Sequence, residues 1–213
     1  MMRFYGFFRS SSSYRCRIAF NLKGIQPDFV PVNLRAGEQR DPAFLAMNPQ
    51  GLLPALDTGR GVLTQSLAII EWLDETRPAP PLLPADPVQR AAVRAFAQII
   101  ACEIHPLQNL RVLNFIKQNY GLDQDGADAW ARHWIAEGLT ACEAIAARRS
   151  HGGAFTFGDT PGLADICLIP QLFSADRFGL DSASWPRLRE IRAACDALPA
   201  FADAHPARQP DAQ

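Results

Sequence analysis

The sequence predicts an α/β plus all-α protein: a βαβαββα domain over residues 1–80, a proline-rich linker over 81–87, and an all-helical bundle over 88–213. Three observations predict it. Up to residue 80, short apolar runs that suit buried strands alternate with patterns of helical period. The stretch PAPPLLPADP at 78–87 carries too many prolines for helix or sheet to run through it. Beyond it, long helical patterns follow one another with almost no strand signal.

Each element can be justified in turn. MRFYGFF reads as a short buried strand. YRCRIAFNLKG sets Cys16, Ile18, Ala19 and Leu22 at helical spacing before Gly24, which supplies a stop. DFVPVNL is a second strand, so residues 3–34 form a β-α-β unit whose crossover is right-handed and whose strands are parallel. PAFLAMN is a short helix, and PALDT and GVLTQ are short strands separated by GRG. SLAIIEWLDETR is a helix with Ser66 as its expected N-cap. In the second region, residues 88–121, 127–149, 163–179, 185–198 and 199–206 all carry helical patterns, which together make a bundle.

Composition narrows the function classes. A charged fraction of 20% and a net charge of -1 give no long-range attraction to nucleic acid or anionic lipid, so an anionic ligand must be met by local charge. The five cysteines (Cys16, Cys102, Cys142, Cys167, Cys195) form no C-x-x-C pair and no metal-ligand spacing, which argues against a disulfide framework and a zinc site. No metal is expected. The N-terminal stretch lacks the apolar run of a signal peptide, and no apolar stretch approaches the roughly 18 residues of a membrane span. A cytoplasmic protein with no membrane or nucleic-acid partner is the expectation.

Three motifs carry chemistry. RSSSSYRCRIAF, residues 9–20, places four serines at a strand-to-helix junction, where unpaired N–H groups and the positive end of the helix dipole favour an anion. The row either caps the helix or donates hydrogen bonds to something negative. In NPQGLLPAL, residues 48–56, Pro54 is either a strand edge or a cis peptide in a tight turn, and only the latter exposes the backbone of Leu53 to a peptide-like ligand. In TQSLAIIEWL, residues 64–73, Gln65 and Ser66 open a helix whose N-terminus either is simply capped or holds a carboxylate.

Taken together and in this order, these motifs resemble the thioredoxin-like glutathione-binding domain of the glutathione transferases. The likeness extends along the chain. R-S-S-x-S-[WY]-R-x-R-I-A, E-T-R-P-x-P-x-L-L-P, H-P-L-Q-N-L, G-D-x-P-x-L-A-D and the closing A-H-P-A-x-Q-P-D are similar to the zeta class, that of the maleylacetoacetate and maleylpyruvate isomerases.

The resemblance implies the glutathione transferase fold, glutathione as cofactor and a homodimer. It implies that Ser10, Ser11 and Ser12, with the cation of Arg9, meet the glutathione sulfur. Leu53 and Pro54 then bind its cysteinyl backbone, and Gln65 and Ser66 hold the γ-glutamyl end. His105, Gln108 and Asn109 line the cleft, with Asn109 reaching the glutathione of the neighbouring subunit. His105, ahead of Pro106, has a structural reading as well. A free thiol is mostly protonated at neutral pH, and donors and a cation aimed at the sulfur favour the nucleophilic thiolate.

The implied reaction is cis–trans isomerisation: the thiolate adds to the cis double bond of a conjugated oxo-acid, the new single bond rotates, and expulsion of the thiolate leaves the trans isomer with glutathione unchanged. Such a small dicarboxylic substrate needs local cations, for which Arg9, Arg111 and Arg177 are the candidates. There are two departures from the class. Ser12 stands where many members have cysteine, and Cys16 does not replace it, being placed as a small buried hydrophobe. Gly162 stands where Ser or Thr often forms a capping box with Asp165, so a weaker cap is expected. The rival readings are a general transferase conjugating electrophiles, a reductive dehalogenase, which Ser12 argues against, and a non-enzymatic module on the same scaffold.

Overall fold

The computed structural model describes residues 2–148 and 153–212 and divides into two compact units, 1–82 with 197–213, and 83–196. Arg149, which closes one of the helical patterns, lies outside the described residues.

In the first unit, β1 (Arg3–Gly6), α1 (Ser11–Leu22), β2 (Asp28–Pro31), α2 (Pro42–Met47), β3 (Ala55–Asp57), β4 (Val62–Thr64) and α3 (Ser66–Thr76) follow in the predicted βαβαββα order. The sheet order is β2-β1-β3-β4. β1 and β2 run parallel with Phe4 opposite Phe29, as a β-α-β unit requires, and β3 joins β1 antiparallel with Leu56 opposite Phe4. α1 stops at Gly24, whose φ of +64° suits a residue without a Cβ, while the N–H of Ile25 reaches back to the carbonyl of Phe20. Both sheet faces are covered. Phe4 meets Phe20 edge to face at 5.0 Å, and Ile18, Leu56, Ile69, Ile70 and Leu73 are buried. Val32, Phe44 and Ala55 form a second cluster with Tyr5, Met47 and Leu53.

The proline-rich stretch is ordered against this unit. Lys23 donates to Asp74 at 2.7 Å, to the carbonyl of Arg77 at 2.6 Å and to that of Pro80, while Asp74 also accepts from the N–H of Leu82.

The second unit holds α4 (Pro87–Gln98), α5 (Leu110–Tyr120), α6 (Gln124–Arg148), α7 (Leu163–Arg177) and α8 (Pro186–Asp196). The continuous pattern over 88–121 is not one helix. A π-helical turn, Ile99–Ile104, follows α4, and the chain turns at His105–Gln108 before α5, because Pro106 has no N–H to give the ladder. Gly138 of α6 lets that turn come close, since a Cβ there would lie only 2.2 Å from a side-chain carbon of Ile104. α7 is buried along most of its length. As expected, Gly162 offers no oxygen to its N-terminus. Asp165 compensates by accepting from the N–H of Gly162 at 2.9 Å and from the N–H and hydroxyl of Thr156 at 2.9 and 2.7 Å.

The helical range drawn from sequence ran to residue 213, whereas in space the second unit closes at Asp196. The segment after it, with α9 (Pro199–Ala202), belongs with the first unit. The cause is a set of polar ties to α1: Arg17 Nε donates to the carbonyl of Ala204 at 3.0 Å, and Asn21 donates to that of Ala200 at 2.9 Å.

Candidate functional site

The serine row sits where the chain leaves β1. A turn from Phe7 to Ser10, closed by the N–H of Ser10 on the carbonyl of Phe7 at 3.0 Å, sets up the N-terminus of α1. Ser10 is the N-cap, with extended backbone and its Oγ accepting from the N–H of Ser13 at 3.2 Å. Ser12 Oγ donates to the carbonyl of Leu53 at 3.0 Å and lies 3.1 Å from Ser10 Oγ. Ser13 turns inward and accepts from the N–H of Phe7 at 3.4 Å, while Ser11 is buried. The four hydroxyls therefore differ in role, and those of Ser10 and Ser12 form a connected pair at the helix end. Arg9 is half-buried beside them. Desolvation, and then the charge of Arg35, lower its pKa, so a bound anion would relieve both.

Ser12 leads directly to the second motif. Of the two readings of Pro54, the structure has the cis peptide between Leu53 and Pro54. The loop before it is shaped by Asn48, a buried residue that the sequence reading missed. Its Nδ2 donates to the carbonyl of Leu52 at 2.7 Å, and its Oδ1 accepts from the N–H of Gln50 at 3.2 Å.

The third motif differs by one residue from expectation. Gln65, not Ser66, is the N-cap of α3, and Ser66 is the first helical residue. The reason lies in the backbone: Gln65 adopts φ +68°, ψ 118°, a conformation that a side chain opposes, and this places the turn ahead of Ser66. Gln65 Nε2 donates to Gln50 Oε1 at 2.8 Å. Ser66 is buried, and its Oγ accepts from Arg15 Nη1 at 3.3 Å. Arg15 is itself 2% exposed, so a guanidinium lies beneath the N-terminus of α3. Sequence reasoning passed over it because nothing in YRCRIAF marks one arginine as buried. Cys16 is buried as expected, its Sγ 3.9 Å from the carbonyl of Ser66.

The remaining candidates belong to the second unit. His105 closes the π-helical turn, its N–H on the carbonyl of Ile100 at 2.9 Å. Gln108 Nε2 donates to the fully buried Gln171 at 2.9 Å. That contact leaves Gln108 Oε1 and Gln171 Nε2 without a hydrogen-bond partner among the described residues. Asn109 caps α5, with Oδ1 accepting from the N–H of Arg111 at 3.1 Å. Arg111 is exposed. Arg177 is exposed in the last turn of α7, with its guanidinium carbon 5.8 Å from the ring centre of Phe178. Among the described residues, no group of acids, histidines and cysteines is placed to hold a metal, and no helix is long and apolar enough to cross a membrane.

A small mixed sheet with helices, an anion-favouring helix N-terminus, a cis-proline loop and a separate helical unit define a class of protein. The chain belongs to the glutathione S-transferase family: residues 9–76 match the glutathione S-transferase N-terminal domain, and residues 128–202 match the C-terminal domain. Within it, the chain is 49% identical over 210 residues to a maleylpyruvate isomerase from a Ralstonia species, covering 99% of each chain. It is 48% identical to a maleylacetoacetate isomerase from Pseudomonas aeruginosa, covering 99% of this chain and 98% of that one. A maleylacetoacetate isomerase from Methylobacterium extorquens AM1, solved with bound malonate and GSH, superposes with a TM-score of 0.95 at 44% identity, covering 99% of both chains. The resemblance drawn from the motifs is borne out.

Proposed function

We propose that this protein is a glutathione-dependent cis–trans isomerase acting on a maleyl-type oxo-acid, maleylpyruvate or maleylacetoacetate. The full-length identity to enzymes of both names carries the reading. The residues of the first unit fit the cofactor: two hydroxyls, a half-buried cation and a helix N-terminus suit a thiolate, and the N-terminus of α3 over the Arg15–Ser66 pair suits a carboxylate. When bound, glutathione supplies a thiolate that adds to the cis double bond and leaves again once the bond has rotated.

The chain's own part is to stabilise charge. Ser10, with Arg9 nearby, favours the thiolate over the thiol. Gln65 and Ser66 bind the γ-glutamyl end, and Leu53 binds the peptide backbone beside it. His105, Gln108 and Asn109 are the second unit's contacts for glutathione, Asn109 for that of the neighbouring subunit. Arg9, Arg111 and Arg177 meet the carboxylates of a small dicarboxylic substrate. The working form is a homodimer in the cytoplasm.

The test is an assay of the purified protein on both maleyl oxo-acids, with and without glutathione. Isomerisation that requires glutathione yet leaves its concentration unchanged is the expected result. Turnover of neutral aryl halides alone, with glutathione consumed, would overturn the reading in favour of a general transferase.

A further inference from the structure

The closing motif A-H-P-A-x-Q-P-D, residues 204–211, has no part in the reading above, yet the structure brings it to the loop that carries Arg9 and Ser10. The Phe8 peptide is held from both sides. Its N–H donates to Asp211 Oδ2 at 2.8 Å, and its carbonyl accepts from Arg17 Nη2 at 2.9 Å. The same guanidinium spans the two segments: Nη1 reaches the carbonyl of Phe7 at 3.4 Å and Nε that of Ala204 at 3.0 Å. Tyr14 carries the Arg17 guanidinium over its ring at 5.2 Å and meets the His205 ring edge to face at 6.2 Å. Gln209 folds the motif on itself by donating to the carbonyls of Asp203 and His205 at 2.9 and 3.0 Å.

Arg17 is 6% exposed and Asp211 Oδ1 is a buried oxygen with no hydrogen-bond partner among the described residues. Burying charged groups is costly unless their hydrogen bonds hold a required geometry. What they hold here is the Phe8 peptide of the Phe7–Ser10 turn, one residue from Arg9 and two from Ser10.

We propose that Asp211 and Arg17 are positioning residues for the thiol site, through which segment 204–211 sets the aim of Arg9 and Ser10. The inference rests on the reading that the serine row meets the glutathione sulfur. Asp211 touches neither cofactor nor substrate; it acts through the Phe8 peptide. Displacing a charge-stabilising donor by even a fraction of an ångström weakens it, because such donors work only when preorganised.

The experiment compares wild type, Asp211→Ala, Asp211→Asn and Ser10→Ala. Three quantities are measured: hydrogen exchange at the Phe8 amide in the unliganded protein, the thiol pKa of bound glutathione from its ultraviolet thiolate absorbance, and kcat separately from KM. Asp211→Ala is expected to lose protection at Phe8 while Phe4 stays protected, to raise the bound thiol pKa, and to lower kcat about tenfold with the KM for glutathione nearly unchanged. Asp211→Asn, which keeps an oxygen acceptor, is expected to recover most of each. If Ser10→Ala shifts the thiol pKa but Asp211→Ala does not, the positioning role is wrong and the serine reading stands. If Ser10→Ala leaves the thiol pKa unmoved, the serine reading itself falls. Should Asp211→Ala fold too poorly to assay, Asp211→Leu, which fills the space but offers the Phe8 N–H no acceptor, takes its place: lost Phe8 protection with a raised thiol pKa supports the role, and a wild-type thiol pKa overturns it.

Discussion

The hydroxyl of Ser12 donates to the carbonyl of Leu53 at 3.0 Å and so ties the first turn of α1 to the cis-proline loop. Its single proton being committed there, the 3.1 Å contact with Ser10 must use the proton of Ser10. Ser10 thus holds the one proton of this pair that can turn from a neighbouring hydroxyl to a ligand sulfur, and Ser12 acts as tether.

The two serines should separate kinetically. Ser10→Ala is expected to lower kcat about tenfold or more, as loss of a preorganised donor does, and to cost about 1 kcal/mol of stability through the lost cap. Ser12→Ala, which loosens the loop proposed to bind the cysteinyl backbone, should raise the KM for glutathione more than it lowers kcat. Steady-state kinetics on both variants check this, and equal losses in kcat would contradict the division of labour.

Gln65 invites a test of strain against binding. Its φ of +68° costs a side-chain-bearing residue about 1–2 kcal/mol. Gln65→Gly should raise Tm, because glycine adopts this backbone freely and the lost bond to Gln50 is exposed. The same variant should bind glutathione about tenfold more weakly if the amide contacts the γ-glutamyl end. Calorimetry of unfolding and of binding gives both signs. A variant less stable than wild type would mean that the conformation is not strained.

How much of this was legible in the residues depends on distance along the chain. The helix start at the serine row, the stop at Gly24 and the parallel pairing of β1 with β2 follow general rules and read directly from sequence, while the choice of Ser10 as the cap comes from the structure. The N-cap of α3 was misplaced by one residue, because a glutamine at positive φ has no sequence signal. Arg15 and Arg17 were missed for another reason. Their partners, Ser66 and Ala204, lie 51 and 187 residues away, and an arginine beside apolar neighbours in a helix looks the same whether it faces water or a distant carbonyl. The motif at 204–211 was visible as a pattern, but its contact with the Phe7–Ser10 turn, 203 residues away at Phe8, is not a local feature.

Asp165 is the polar anchor of α7. Burial pushes its carboxyl pKa up, while the three donors from Thr156 and Gly162 pull it back. Asp165→Ala would leave those donors without their acceptor, and a loss of about 2–4 kcal/mol is expected, measured by denaturant unfolding at neutral pH. A change below 1 kcal/mol would show that water replaces the carboxylate at no cost, on the order of a surface substitution.

The cysteines give a further check that the nucleophile is not supplied by the chain. Cys102 is exposed; the other four are buried, with desolvation pushing Cys142 up to about 12 and raising Cys195 as well. At neutral pH these two therefore stay thiols and react slowly. A thiol reagent should modify one cysteine of the native protein quickly and all five after unfolding. Cys102→Ser should abolish the fast phase. The modified protein should keep its glutathione-dependent isomerase activity, and its inactivation with Cys102→Ser protected would place that thiol in the chemistry.

Arg177 offers the most direct test of how the substrate is read. It stands in the last turn of α7, where a cation also interacts with the helix dipole, a contribution of about 0.3–1 kcal/mol at an exposed site. If it meets a substrate carboxylate, Arg177→Met should lower kcat/KM for a dicarboxylic cis-oxo-acid by about 2–4 kcal/mol, the size of a lost charged hydrogen-bonded contact. That exceeds its helix-end contribution, so the two roles are separable by magnitude. Glutathione affinity should hold, and conjugation of a neutral aryl halide should hardly change, since that substrate has no carboxylate to lose. Equal loss of both activities together with a lowered Tm would mean that Arg177 supports the end of α7 and does not read the substrate.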